Sequence, residues 1–567
     1  LVSKHIKSNQ MKTRISFNIT FVLLFIFTSC ADDFLDENPR NIIAPENLYV
    51  NKAGFEFGLN GLYSRVRYER NGANGGSNVL NNSAMVIGVD NAYSMMPAGG
   101  SIEAFLNTWG TTMVSTNGYL RDTWEWLYGV VNAANTIIIR AENPDVQWSS
   151  IEKNQVIAEA KLIRAWAYRH LTFLFGSVPL NLEESSGTNI KTDWERTPVS
   201  VIRTAMENDL LFAEQNLSDP APYDGRVSKA VASHYLAELY LTIGKYQAAK
   251  DKAASVVNNA LYGLTKTRLS SQSAKPGTPF TDMFLDNNAN RSAGNKEVLW
   301  VLQNEYLSNG GDGNIMRRWY VNRYAEIQIG SARPVTFSIE NGGRGLGRFG
   351  VTKYGLSIYE NNDERGSYFG WRKFYRYNNS ASLPPKSNLG DTLPLLTGAG
   401  PAHLRGFNAV PNETVGNTAS NRLRPSTTKW DYAPSIPEDV QNSNNYNDQI
   451  YLRVADTYLL LAEAQFYLND LAGAAATINL IRARANATPI TASQVTLDFI
   501  LDERSRELWS EEHRRYTLLR TGTWFDRTKK FNLIAGKVIT LRDTIFPIPQ
   551  VVIDANLSKT MSQNPGW

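Results

Sequence analysis

Two alanine-rich stretches 225 residues apart constrain this chain more than anything else in it. Over residues 227–257 the apolar positions recur at helical spacing and break only at Ile243-Gly244-Lys245, a pattern that predicts two antiparallel helices joined by a tight turn. At the 225-residue offset, Leu236, Ala237, Glu238, Gly244 and Ala249 return as Leu461, Ala462, Glu463, Asn469 and Ala474. Small residues on the contact face of a first helix and early in a second let two helices approach closely, as a tetratricopeptide pair requires. Tyr240 and Ala253 extend the pattern in the first copy, whereas Gln465 and Ile478 depart from it in the second. Two ordinary helical hairpins would leave a similar trace, so that alternative stays open.

Helical spacing also links Leu162, Trp166, Leu171 and Phe175, and Gly176 with Pro179 then stops the helix. The expected architecture is mainly α: a helical repeat scaffold over about 45–260 and 449–522, with a C-terminal tail over 523–567. Between the two helical parts, residues 263–448 hold twenty of the forty glycines, with many Asn, Ser and Pro. Such a composition favours long loops and short strands, and long loops in a folded protein often carry the ligand site.

Cys30 is the single cysteine of 567 residues. It closes the apolar run 15–27 behind Lys12 and Arg14 and is followed by Ala31-Asp32-Asp33, the layout of a lipoprotein processing site. The run is too short to span a bilayer, so residues 1–29 are expected to be an upstream extension and signal peptide, with Met11 as the natural start and Cys30 as the lipidated residue. Removing them removes Lys4, Lys7, Lys12 and Arg14 but no acid, so the 58 basic residues fall into balance with the 54 acidic ones. Nothing in that balance argues for nucleic acid.

Asp33-Phe-Leu-Asp-Glu-Asn-Pro39, Glu159-Ala-Lys-Leu-Ile-Arg164, Phe175-Gly-Ser-Val-Pro179 and Gly225-Arg-Val-Ser-Lys-Ala230 occur in order. They are succeeded by Asn295-Lys-Glu-Val-Leu-Trp300, Tyr359-Glu-Asn-Asn-Asp363, Leu452-Arg453, Asn479-Leu-Ile-Arg482, Glu503-Arg-Ser-Arg-Glu507 and the terminal Gln563-Asn-Pro-Gly-Trp567. With its motifs in this order the chain resembles the SusD/RagB outer-membrane nutrient-binding lipoproteins of Bacteroidota from end to end. The resemblance implies a single SusD-like domain over 30–567 that captures oligo- or polysaccharide at the cell surface and passes it to a SusC-like TonB-dependent transporter. It also implies attachment to the outer membrane through lipid alone, with the protein facing the exterior. A peptide-binding RagB-like lid and a docking-only scaffold subunit are the alternatives. Glu512, where Gly or Asn is common, and Thr517, where Asp is usual, depart from the family pattern. The Arg and Glu residues of the motifs read as a buried ion-pair network joining helices.

An enzyme is not expected, nor is any cofactor. The histidines, His5, His170, His234, His403 and His513, are scattered, with no zinc-type pair, and no Gly-x-Ser-x-Gly elbow is present. Gly345-Leu-Gly347-Arg-Phe-Gly350 matches the dinucleotide fingerprint in letters, but no apolar strand precedes it and no helix pattern comes after it. Asp286, Asn288, Asn290 and Glu297 occupy positions 1, 3, 5 and 12 of a calcium loop, against which position 6 is Arg291 where that loop needs Gly. For glycan binding, the candidate aromatic and basic residues are Trp319 and Tyr320 first, with Arg317, Arg318 and Tyr324 beside them. Tyr93 and Trp109 lie in an earlier loop-rich stretch, and Trp371, Tyr375 and Tyr377 form a second cluster. The basic and aromatic residues at 317–320 would also suit an anionic sugar or a peptide carboxylate.

Overall fold

Helix propensity, caps and close packing of small residues combine into one continuous stack of antiparallel helices. The computed structural model describes residues 44–567 apart from 72–80, 97–103, 188, 270–272, 309, 312, 395–419, 432–439 and 442–443. Cys30 and the export segment lie outside the described residues. Residues up to Leu48 form a unit of their own, described only at the helical turn Pro45–Leu48, and every other element belongs to the unit Tyr49–Trp567. The helices of seven or more residues begin with α1 (Lys52–Asn71), α2 (Gly118–Arg140), α3 (Ser150–Phe175), α4 (Val199–Asn216), α5 (Lys229–Thr242) and α6 (Tyr246–Val257). After a long insert come α7 (Val454–Tyr467), α8 (Leu471–Arg484), α9 (Leu497–Leu508), α10 (Arg514–Arg520) and α11 (Trp524–Phe531). From α2 to α6 each helix packs on the next, and α6 packs on α7 and α7 on α8, so the stack continues in space across the insert.

Local chemistry sets the ends of these helices. Asn117 caps α2 by accepting from the Tyr119 backbone N–H, and Ser149 with Glu152 forms a reciprocal capping box at α3. Gly176, at φ +72°, stops α3 at the predicted place. The 225-residue offset holds for both ends of the first helix and for the start of the second: α5 maps onto α7, and α6 onto α8, which runs two residues further. The hairpin turn needs a left-handed residue in each copy, supplied by Gly244 at φ +74° and by Asn469 at φ +60°. Ala237, Ala249 and Ala253 in the first copy, and Ala462, Ala474 and Ile478 in the second, are buried at the helix contacts. Glu238 and Glu463 take equivalent places, and each binds an arginine from a neighbouring helix, Arg169 and Arg520.

The insert leaves and re-enters the scaffold through one antiparallel pair, β2 (Val298–Leu302) with β8 (Gln449–Arg453), in the register Val298 to Arg453 and Leu302 to Gln449. The second helical part therefore opens on a strand at 449–453, a difference from the helix expected there; its five residues are buried on both faces, where an apolar run reads alike for strand and helix. The insert strand β3 (Phe349–Val351) pairs with β1 (Ala92–Ser94) of the N-terminal part, and within the insert β4 (Trp371–Arg372) pairs with β7 (Ser426–Thr427) and β5 (Phe374–Arg376) with β6 (Thr392–Pro394). The insert has a core of its own around Val321, Tyr324, Ile327, Val335, Tyr375, Tyr377 and Leu393.

Arg453, at the end of β8, belongs to a largely buried network of six cations, Arg365, Lys429, Arg453, Arg482, Arg484 and Arg506, and six carboxylates, Glu297, Glu360, Asp363, Glu503, Glu507 and Glu511. Arg453 is the hub. It meets Glu297 Oε1 at 2.7 Å and Glu511 Oε2 at 2.7 Å, donates to the Glu507 carbonyl at 2.7 Å, and pairs with the Glu507 carboxylate. Burial alone would raise the Glu503 carboxyl, but Arg365, Arg506 and Arg482 hold it at about 2. The two departures from the family pattern touch each other: Glu512 binds Arg504 and Arg514 and accepts from the Thr517 hydroxyl at 3.1 Å.

Candidate ligand-binding cleft

The turn Gly366–Gly370 is held so close to its neighbours that it must present its middle residues outward. A Cβ on Gly370 would lie 2.4 Å from the Arg365 carbonyl oxygen, and one on Gly366 would lie 2.6 Å from the Tyr359 side chain. Between them Tyr368 is half exposed, with its ring centroid 4.0 Å from that of Phe369 and 6.1 Å from that of Phe374. The next segment alternates. Tyr375 and Tyr377 enter the insert core, while Phe374 and Arg376 turn outward, with the Arg376 guanidinium 5.5 Å from the Phe374 ring centre.

This aromatic edge borders a cleft that Arg372, Lys373, Glu340 and Asp431 also line. Its polar wall is fixed by ion pairs. Arg372 grips Asp431 with two parallel bonds of 3.0 and 2.7 Å, and Arg376 Nε lies 3.2 Å from Glu340 Oε1. Asp282, buried in the lining with Thr281 and Leu285 beside it, is held by Arg268 and by the Leu269 backbone N–H. Lys373 donates to the Gly366 carbonyl at 2.8 Å, and burial pulls its amine down to about 8. Aromatic rings beside positioned donors and acceptors in one lining suit a ligand with C–H faces and hydroxyls.

Two family models match the chain, one described as the SusD family over residues 296–567 and one as starch-binding associating with outer membrane over 33–241. The chain belongs to the SusD family. It is 27% identical over 532 residues to SusD-like protein P25 of Formosa agariphila, covering 89% of this chain and 90% of that one. A SusD homolog from Bacteroides thetaiotaomicron shares the fold with a TM-score of 0.71 at 20% identity, over 94% of this chain and 100% of that one. A laminarin binding SusD-like protein does so with a TM-score of 0.65 at 22% identity, over 91% and 100%.

In this SusD-family chain the aromatic residues singled out from sequence are core residues. Trp319, Tyr320, Tyr324, Tyr93, Trp109, Trp371 and Tyr375 are at most 2% exposed, and a ring so enclosed has no face for a sugar. Tyr320 is surrounded by Phe349, Trp430 and Trp509, Trp109 packs on Trp524 and Phe546, and Trp371 packs on Trp509. The fold brings Tyr324 and Tyr375 together as a stack at 4.4 Å inside the insert core, and Arg424 lies over Tyr93. Arg317 is buried and donates to the Val440 carbonyl, and Arg318 alone of this group is half exposed. Tyr368, Phe369 and Phe374, passed over in the sequence, are the outward rings. The two glycines flanking Ser367-Tyr-Phe369 were the available signal.

The calcium-loop candidates do not form a loop site. Glu297 has its oxygens on Arg453, Arg484 and the Thr265 backbone N–H, Asn288 bonds the Asp282 carbonyl, and Asn290 bonds Asp448 and Gln303. Asp286 is left without these three as co-ligands. Distant in sequence, His170 and His513 meet in the core beside Glu69, with His513 Nε2 2.9 Å from a Glu69 oxygen. Arg169 donates to His513 Nδ1 at 2.9 Å, which leaves the ring proton on Nε2 facing Glu69 and sets a guanidinium where a cation would be repelled. Burial, then His513 and Arg169, push His170 well below its ordinary range. The fingerprint-like glycines serve close backbone approach: Leu346, Gly347 and Arg348 donate to the carbonyls of Arg318, Val321 and Trp319.

Proposed function

We propose that this chain is a glycan-capturing lipoprotein, anchored to the outer membrane through Cys30, that holds oligo- or polysaccharide in the Tyr368 cleft and hands it to a SusC-like TonB-dependent transporter. Its role is binding without catalysis. The observation that carries this reading is the outward edge of Tyr368, Phe369 and Phe374 along a wall of fixed charges. Sugar rings offer apolar C–H faces to the first and hydroxyls to the second. The family description of starch binding and outer-membrane association supports it, as does the laminarin-binding character of one structural neighbour. Among the described residues no helix is long and apolar enough to cross a membrane, in keeping with attachment by lipid.

The test is native-gel retardation of the chain from Ala31 onward against plant, algal, fungal and host polysaccharides. Tyr368→Ala should weaken retention by the retained glycan about tenfold, the loss of one stacking platform with its buried area. Undiminished retention in that variant would remove the cleft from the reading, and retention by none of the polysaccharides would remove glycan capture.

A further inference from the structure

The insert carries more positive charge than its own acids neutralise. Between residues 317 and 348 stand Arg317, Arg318, Arg323, Arg333, Arg344 and Arg348, against Glu326 and Glu340. Both glutamates are already engaged, Glu326 by Arg323 and Arg422 and Glu340 by Arg376. Two features gather part of this charge in one place. The one-turn helix Met316–Tyr320 carries Arg318, and the glycine segment 344–348 is laid against it by the bonds from Leu346 to the Arg318 carbonyl and from Arg348 to the Trp319 carbonyl, at 2.7 and 2.9 Å. The approach leaves no room to relax, since a Cβ on Gly345 would lie 2.0 Å from the Val321 carbonyl oxygen.

Arg344 is anchored at both ends of its residue. Its backbone N–H donates to the Val440 carbonyl and its Nη1 to the Gln441 carbonyl. Arg348 lies over the Trp319 ring at 4.4 Å. Arg318 has its Nε buried without a hydrogen-bond partner. Among the described residues neither Arg318 nor Arg344 has a carboxylate at ion-pair distance. Burial, and after it the charges of Arg344 and Arg348, disfavours the charged form of Arg318. A guanidinium does not shed its proton in a protein, so Arg318 and Arg344 remain like charges side by side.

Resting on the glycan reading above, we infer that the saccharide taken up is anionic, carrying sulfate esters or carboxylates, and that Arg318 and Arg344 hold those groups. The position suits one ligand reaching both places. Asn341 lines the cleft and Gly342 abuts Arg372 and Asp431, while Arg344 stands three residues after Asn341, a chain reach of at most about 11 Å. A planar fork matches two oxygens of a sulfate or carboxylate, which a surface lysine does not.

The experiment compares retention of the chain from Ala31 onward by dextran, dextran sulfate and polygalacturonate, at low and high salt, with R318Q/R344Q and Tyr368→Ala alongside. Retention by an anionic polymer should exceed that by dextran, weaken with salt, and fall at least about tenfold in R318Q/R344Q. Loss confined to dextran sulfate identifies sulfate esters, and loss confined to polygalacturonate identifies carboxylates. Equal retention of neutral and anionic polymers, or anionic retention untouched by R318Q/R344Q, overturns the inference; glycan capture survives that result if Tyr368→Ala still weakens retention. Retention of poly-glutamate through the same arginines, with no polysaccharide retained, overturns both. Should the double variant lose its native circular dichroism, the singles R318Q and R344Q decide the matter, each expected to weaken anionic retention several-fold.

Discussion

Arg453→Met tests whether the buried network holds the insert in place. The substitution removes the cation that Glu297, Glu507 and Glu511 share and leaves their carboxylates buried, with Arg484, Arg365 and Lys429 as remaining partners. One pair of unit charges at contact is worth about 4 kcal/mol at the effective dielectric of a protein site, and three such pairs are lost. Most of that gross loss is offset by the relieved cost of burying the guanidinium and by the cations that remain beside the carboxylates, and removing one partner of a buried ion pair leaves a net penalty of about 3–5 kcal/mol. Six cations facing six carboxylates become five facing six. A second change, Glu511→Gln, restores the balance; R453M/E511Q should therefore cost less than the two single variants combined, by a coupling of about 1–3 kcal/mol. Urea unfolding of the four proteins, monitored by tryptophan fluorescence, supplies the cycle. A cost below about 1 kcal/mol for R453M, or strict additivity, would refute the claim that these charges depend on one another.

Acid should act on the same network. Glu503 sits at about 2 in the folded protein against an ordinary 4.5, so its contribution is fully present above pH 4.5 and is lost as pH falls toward 2. That difference is on the order of 3 kcal/mol, and the slope of stability against pH in this window should shrink in Glu503→Gln; an unchanged slope would show that other groups set the acid limit. Gly345→Ala should lower stability by about 1–3 kcal/mol, because the new methyl meets the backbone oxygens of Val321 and Asn322 and not a movable side chain. An unaltered melting temperature in that variant would mean that the two backbone segments are not packed as described.

The scaffold was legible because its signals are local and redundant. Gly244 and Asn469 mark the same turn twice, and Ala237 with Ala249 repeats as Ala462 with Ala474, so the hairpin and its turn could be read from the sequence. The charged motifs were legible as a network because Arg and Glu at helical spacing within 503–507 have few other uses. The ligand edge was not legible. In Trp371-Arg-Lys-Phe-Tyr-Arg-Tyr377 both faces of the strand carry aromatic and cationic residues, so alternation gives no phase, and a one-residue slip exchanges inside for outside. Trp319 and Tyr320 misled for a related reason. A glycine-rich composition suggested surface loops, but Trp319 and Tyr320 pack into the main core, and only Tyr324, Tyr375 and Tyr377 fill the separate core of the insert.

The pairing of β2 with β8 brings the two ends of the insert onto neighbouring strands, about 4.8 Å apart. Everything from Gln303 to Asp448 is thus, to the scaffold, a single excursion that starts and finishes at one doorway. The entropy of closing such an excursion changes by only about 0.6 kcal/mol when its length doubles. A lineage can lengthen, trim or replace the excursion while α6 continues to meet α7 across the gap. Diversification of what is recognised is in this way separated from inheritance of the frame that does the presenting.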